Sequence, residues 1–332
     1  MKLVTFQLDT PLGPVRRGGV LTDGGVVDYA LARAALLDAR GWGAARAVAD
    51  GETPPDVLAL LQRGPRALEA VQEAVDHVAA NGIDGFDAAT VIHAPTVRLL
   101  APIPRPPSLR DYLVVEEHLR NARKADPPPE WFNIPAYYKG NVDAIYGPED
   151  EVPWPFYTDK LDYELEICAV IGRGGRTIAA EDAAAHIVGY TIYNDWSARD
   201  IQRREMSIGV GPGVGKDFAS SIGPCIATPD EFDRDRARLS ARIDGEEWSS
   251  GVLGRMQFSF EEIVEWTSME TTLRPGDLLG SGTVGHGCGL ELDRWLQPGS
   301  VVELEAEGIG VLRNRVGPRR AAPQSPPRGV MP

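Results

Sequence analysis

The chain has 332 residues, 43% of them hydrophobic, and a formal net charge of −14. That size and apolar content fit one large domain with a smaller companion, and the negative field excludes nucleic acid and anionic membrane surfaces as partners. No apolar run approaches the roughly 20 residues that span a bilayer. Met1-Lys2-Leu3-Val4-Thr5 opens no signal-peptide stretch, so a cytoplasmic protein is expected.

In chain order, Leu3–Leu8 and Val15–Leu21 read as strands, with Gly24-Gly25 turning into Val26-Val27. Helical patterns follow over Leu31–Ala39, Pro55–Leu61 and Arg66–Ala80. Residues 1–100 therefore read as a small N-terminal α+β domain. The proline-rich stretch Ala101–Pro107 is a stiff connector, because proline fixes φ and donates no hydrogen bond. A larger catalytic region runs from 101 to 316. It begins with a helix predicted over Asp111–Lys124, interrupted by Pro127-Pro128-Pro129. Short strands follow at Glu164–Ile171, Val188–Asn194, Cys225–Thr228, Leu239–Ile243, Val301–Glu305 and Ile309–Arg313, with helices at Ala179–His186 and Glu261–Thr267. Glycine turns among many short strands predict an α+β, β-rich fold, a mixed roll or barrel and not a doubly wound sheet. Residues 317–332, rich in Pro and Arg, are expected to be a disordered tail. Cys168, Cys225 and Cys288 form no CxxC pair and read as buried free thiols.

Three fragments concentrate chemistry: Asp111 with His118, Glu164-Leu165-Glu166, and Asn194 to Gln202. Residues two apart on a strand share a face, so Glu164 and Glu166 can present carboxylates with Cα atoms about 7 Å apart. Asp195 follows an apolar strand, where a polar residue commonly faces a pocket. Each acid has a bland rival: solvated strand acids at 164 and 166, a helix cap at 195, a first-turn acid at 111. If Asp111, Glu164, Glu166 and Asp195 converge, they repel one another and require a cation or protons. All-oxygen ligands select Mg²⁺, Ca²⁺ or Mn²⁺ over zinc. Open positions on such an ion suit a substrate with two neighbouring oxygens, a 2-oxo acid or a diketone.

Asn194-Asp-Trp-Ser-Ala-Arg-Asp-Ile-Gln202 with Gly215-Lys216, and Leu161-Asp-Tyr-Glu-Leu-Glu166, Ser281-Gly-Thr283 and Leu290-Glu-Leu292, resemble the fumarylacetoacetate hydrolase family, in the family's order. The resemblance covers most of residues 108–316 and implies a homodimer with the metal set Asp111, Glu164, Glu166 and Asp195. It also implies His118 as the base that activates water, Glu291 as the acid that orients it, and Arg199, Gln202 and Lys216 as donors around an attacked carbonyl. Tyr138 matches a substrate tyrosine, and Thr283 is expected beside the substrate. Leu113 and Met206 replace two other substrate tyrosines, and no counterpart is found for a substrate arginine after the histidine. The implied activity is metal-dependent hydrolysis of a C–C bond in a 1,3-diketone or acylpyruvate with a less polar acyl group. An imidazole titrates at about 6.5, suited to proton abstraction near neutral pH, and each oxyanion donor is worth about 10²–10³ in rate. A 2-oxo-acid decarboxylase, an isomerase or hydratase, and a non-catalytic binding protein are the alternatives.

Gly209–Asp217 imitates a phosphate loop but fails its pattern at Val210 and Asp217. Gly172–Arg176 reads as a turn, and His286 with Cys288 is weak evidence for a second metal.

Overall fold

A computed structural model describes residues 1–82, 85, 86, 90–92, 97–253, 256–327 and 329. It is strand-rich and mixed, as expected, and among the described residues its sheets do not close into a barrel. The larger sheet runs through Val91–Ile92, Gly25–Asp28, Gly13–Thr22, Lys2–Thr10, Ser220–Ala227, Ile187–Asn194, Leu165–Ile171, Leu278–Gly280, Leu109–Tyr112 and Tyr137–Lys139. A five-stranded sheet orders Glu246–Val252, Arg238–Ile243, Val301–Ala306, Gly310–Arg319 and Glu151–Trp154. The large sheet continues across residue 100, because Lys2 and Leu3 pair with Ala227 and Ile226.

Leu165–Ile171 is buried along its whole length, which explains its unbroken apolar run: both faces are covered. Alternation then sorts its side chains. Ile167, Ala169 and Ile171 join Leu239, Leu304 and Leu312 of the second sheet in one core cluster. Cys168 and Val170 face the other way and join Tyr29, Leu60 and Val71 from the N-terminal helices. Each such aliphatic side chain contributes about 1.5–3 kcal/mol on burial. Glu166 has the parity of Cys168 and so shares the second face.

Two local expectations are corrected. Asp111 is not in a helix: Leu109–Tyr112 is a strand, parallel to Leu278–Gly280, and the helix begins only at Glu116 and runs to Arg123. The β-branched Val114 and Val115 separate the two elements. A further helix, Ala45–Glu52, was not predicted; it is short and has no side-chain cap. The final strand, expected over Ile309–Arg313, runs from Gly310 to Arg319 and so into the expected disordered tail, of which residues 328 and 330–332 lie outside the described residues. No helix among the described residues is long and apolar enough to cross a membrane.

Candidate metal centre and active site

Four adjacent strands of the large sheet bring the acids together. Asp111 lies opposite Gly280 on one side and Tyr138 on the other. Glu166 opens the Leu165–Ile171 strand opposite Tyr193, and Asp195 immediately follows the Ile187–Asn194 strand. A Cβ on Gly280 would stand 2.5 Å from Asp111 Oδ1, so the missing side chain makes room for that carboxylate.

One oxygen from each of Asp111, Glu166 and Asp195 lies within 4.8 Å of the others. All three residues are buried. Asp111 Oδ1 and Asp195 Oδ1 receive no hydrogen bond from the described residues, a costly condition for buried carboxylates. Burial, then the Asp195 charge, pushes the Asp111 carboxyl well above the usual range. Burial, then the charges of Asp111 and Glu164, does the same to Glu166, and burial also raises Asp195. Buried, mutually repelling and all-oxygen, with two oxygens unpartnered among the described residues, the group fits a hard divalent cation. Glu166 is held in place by the Gly282 amide and the Thr283 hydroxyl, both at 3.1 Å. Tyr138 donates to Asp195 Oδ2 at 2.6 Å.

Glu164 stands differently. It precedes the strand, bridging to Cys288, and falls outside the three-carboxylate group. Arg199 Nη2 reaches its Oε1 at 2.9 Å, and Lys216 Nζ contacts its Oε2. Burial alone would raise Glu164, but Arg199, then Lys216 and His118, outweigh it and hold this carboxyl well below the usual range. Of the expected metal set, then, three gather and the fourth pairs with Arg199 and with Lys216, which it shares with Asp195.

Those cations are themselves anchored. Arg199 donates through Nε to Asp162 Oδ2 at 2.8 Å and through Nη1 to Gln202 Oε1 at 3.1 Å. Lys216 also bonds Asp195 Oδ2. Asp162 was not singled out from the sequence. It is fully buried and accepts from Arg199 and from the amides of Gly289 and Leu290, tying Arg199 to the turn that carries Glu291. Its signal was present: Asp162, Glu164 and Glu166 form a run of acids at strand spacing.

His118, on the Glu116–Arg123 helix, places Nδ1 2.7 Å from Glu291 Oε1. Glu291 lies on the short Gly289–Leu292 helix and not on a strand. Its Oε2 accepts from Asn121 Nδ2 and the His286 amide, both at 2.9 Å, and the Cys288 thiol lies 3.5 Å from Oε1. Burial opposes ionisation of Glu291, but hydrogen bonding to His118 and the other donors outweighs it and keeps its carboxyl below the usual range. Asn121 is a second positioning residue that the sequence reading missed. The other ring nitrogen, His118 Nε2, sits 3.9 Å from Glu164 Oε1, too far for a hydrogen bond, so it faces the cavity free.

The cavity measures about 490 Å³ and opens to solvent. Leu113, Tyr138, Met206 and Thr283, the expected substrate neighbours, all line it, as do His118, Gln202 and Lys216. The loop resembling a phosphate site holds the protein's own anion: the amides of Gly213, Val214 and Gly215 donate to Glu205. His286 is exposed and pairs with Glu117 at 3.3 Å.

Comparison with known proteins identifies the family. A family model described as fumarylacetoacetate (FAA) hydrolase C-terminal matches residues 109–317. The oxaloacetate tautomerase YisK of Bacillus subtilis (strain 168) is 32% identical over 231 residues, covering 67% of this chain and 73% of the relative. A fumarylacetoacetate hydrolase from Exiguobacterium antarcticum has a TM-score of 0.71 at 26% identity, covering 96% of this chain and 100% of the other. A 5-carboxymethyl-2-hydroxymuconate delta-isomerase from Mycobacterium smegmatis has a TM-score of 0.57 at 31% identity, covering 68% and 84%. The chain therefore belongs to the fumarylacetoacetate hydrolase family of enzymes.

Proposed function

We propose that the protein moves a proton between carbon and oxygen of a small 2-oxo acid held at a divalent cation, a keto–enol tautomerisation, with an oxaloacetate-type acid as the first candidate. One observation favours this over C–C hydrolysis. The cations expected to receive an alkoxide are already engaged, Arg199 with Asp162, Glu164 and Gln202, and Lys216 with Glu164 and Asp195. Hydrolysis needs free donors around the attacked carbonyl. Proton transfer needs only a base and a home for enolate charge. The tautomerase and isomerase names of two relatives support the same choice.

A divalent cation at Asp111, Glu166 and Asp195 would supply Lewis-acid polarisation of the substrate's neighbouring oxygens. His118 carries the proton. With Nδ1 held by Glu291, its Nε2 takes a proton from the carbon beside the carbonyl and returns one at the enol oxygen, so a C–H bond breaks, an O–H bond forms and no water is consumed. Glu291 fixes the tautomer and balances the imidazolium charge. Asn121 and the His286 amide hold Glu291 in turn.

A second reading, hydrolysis of an acylpyruvate, uses the same base. It draws on the apolar wall of Leu113, Ala136 and Met206, which has room for an acyl group. The two separate in one experiment. With Mg²⁺ present, the enol ultraviolet band of freshly dissolved oxaloacetate should decay faster with enzyme, and acylpyruvates should keep their mass. Two acid products from an acylpyruvate, with no change in enol lifetime, would establish hydrolysis instead, and CO₂ release would establish decarboxylation.

A further inference from the structure

We propose that Arg123 and Arg203 form the subsite for a second, distal carboxylate, so that the preferred substrate is a short 2-oxo dicarboxylate. This deepens the reading above and rests on it for the chelating end.

Two helices present cavity-facing stripes. From Arg199–Met206 come Arg199, Gln202, Arg203 and Met206, at positions i, i+3, i+4 and i+7. From Glu116–Arg123 come His118, Leu119, Ala122 and Arg123. On each helix the inner residue is buried and belongs to the reactive floor, His118 on one and Arg199 on the other. Further along each axis an arginine faces the same cavity, by about 7.5 Å for Arg123 and about 6 Å for Arg203 at 1.5 Å per residue. A floor that attracts a cation and a rim that carries two guanidinium groups fit a ligand with a chelating 2-oxo-acid end and an anionic far end.

The ordinary reading of an exposed arginine is a solvated or ion-paired surface group. Against it, neither residue makes an ion pair or side-chain hydrogen bond among the described residues, although the chain has 48 acidic side chains for 34 Lys and Arg. Both line the cavity that Asp111, Glu164, Glu166 and His118 also line. Guanidinium binds carboxylate through two parallel hydrogen bonds, which makes arginine the residue for this task. The expectation of a less polar acyl group came from the tyrosines replaced by Leu113 and Met206 and from finding no arginine counterpart after His118. Arg123, five residues on, faces the cavity from the last turn of the same helix.

The test uses two ligands that cannot enolise and differ only at the far end. In 3,3-dimethyloxaloacetate that end is a carboxylate, and in 3,3-dimethyl-2-oxobutanoate it is a methyl group. Calorimetric titration into the Mg²⁺-loaded protein gives the ratio of their affinities without any need for turnover. We expect the wild-type protein to prefer the dicarboxylate at least tenfold. Arg203→Gln or Arg123→Gln should each lower that ratio by about tenfold, the double variant should abolish the preference, and Arg203→Lys should keep part of it. A wild-type protein with no preference, or a double variant that keeps it, overturns the proposal. A preference that falls as stated in a protein that fails to speed enol decay leaves this subsite standing and removes the tautomerase reading alone.

Discussion

The acidic site has two halves, with opposite electrostatics. On the strand side, Asp111, Glu166 and Asp195 crowd together, with Oδ1 of Asp111 and of Asp195 unpartnered among the described residues. On the helix side, Glu164 and Asp162 are matched to Arg199 and Lys216. The helix half is paired acid to base, and Lys216 joins it to Asp195 of the strand half. The strand half is incomplete, and its deficit of positive charge is what a cation would supply. Counting acids as one cluster hides this difference, because Asp111 and Glu166 have no ion pair among the described residues, whereas Glu164 has two.

The comparison breaks most severely at Arg199. Replacing it with Met leaves Asp162 and Glu164 buried without their guanidinium, which should cost about 3–5 kcal/mol of stability. A denaturant titration of the metal-free protein checks this, and a loss below 1 kcal/mol would show that the helix half is not held by that ion pair. Next is the base: His118→Ala should lower turnover by about 10²–10⁴ while divalent-cation affinity stays the same. Undiminished turnover would remove His118 from the reaction.

Glu164 should also respond to pH with opposite sign to Asp111 and Glu166 in metal-free protein. Asp111 and Glu166 are raised in the folded state, so their contribution to stability is present below the ordinary carboxylate range of about 4 and is lost as pH rises through their raised values. Glu164 is lowered, so its contribution is present above that range and is lost as pH falls through its lowered value. Melting curves of chelator-treated protein should therefore show stability falling from acid towards neutral pH. Glu166→Gln should flatten that fall, and an unchanged pH slope in this variant would contradict the assignment. The smallest effect is expected at Asn121→Ala, which removes one of two donors to Glu291 Oε2; about 1 kcal/mol, or a few-fold in rate, should be lost with no change in cation affinity.

Much of the site was legible because strand spacing is local. Glu164-Leu165-Glu166 and the polar residue after an apolar strand can be read from a few neighbours. What was hidden depends on distant pairing. Asp111 looked like a first-turn helix acid because the strand partner that makes Leu109–Tyr112 extended lies at Leu278–Gly280. Asp162 had no visible task because its partners, Arg199 and the amides of Gly289 and Leu290, are remote in sequence. The N-terminal strands read as a separate unit because nothing near them announces pairing with Ser220–Ala227. Local pattern also could not show that Arg199 and Lys216 would pair with Glu164.

The most direct measurement is a calorimetric titration of Mg²⁺ and Mn²⁺ into chelator-treated protein. One cation per chain should bind, with binding lost in Asp111→Asn and Glu166→Gln and kept in His118→Ala. Absence of binding to the wild-type protein, or binding that survives Glu166→Gln unchanged, would contradict a cation site built from these three carboxylates.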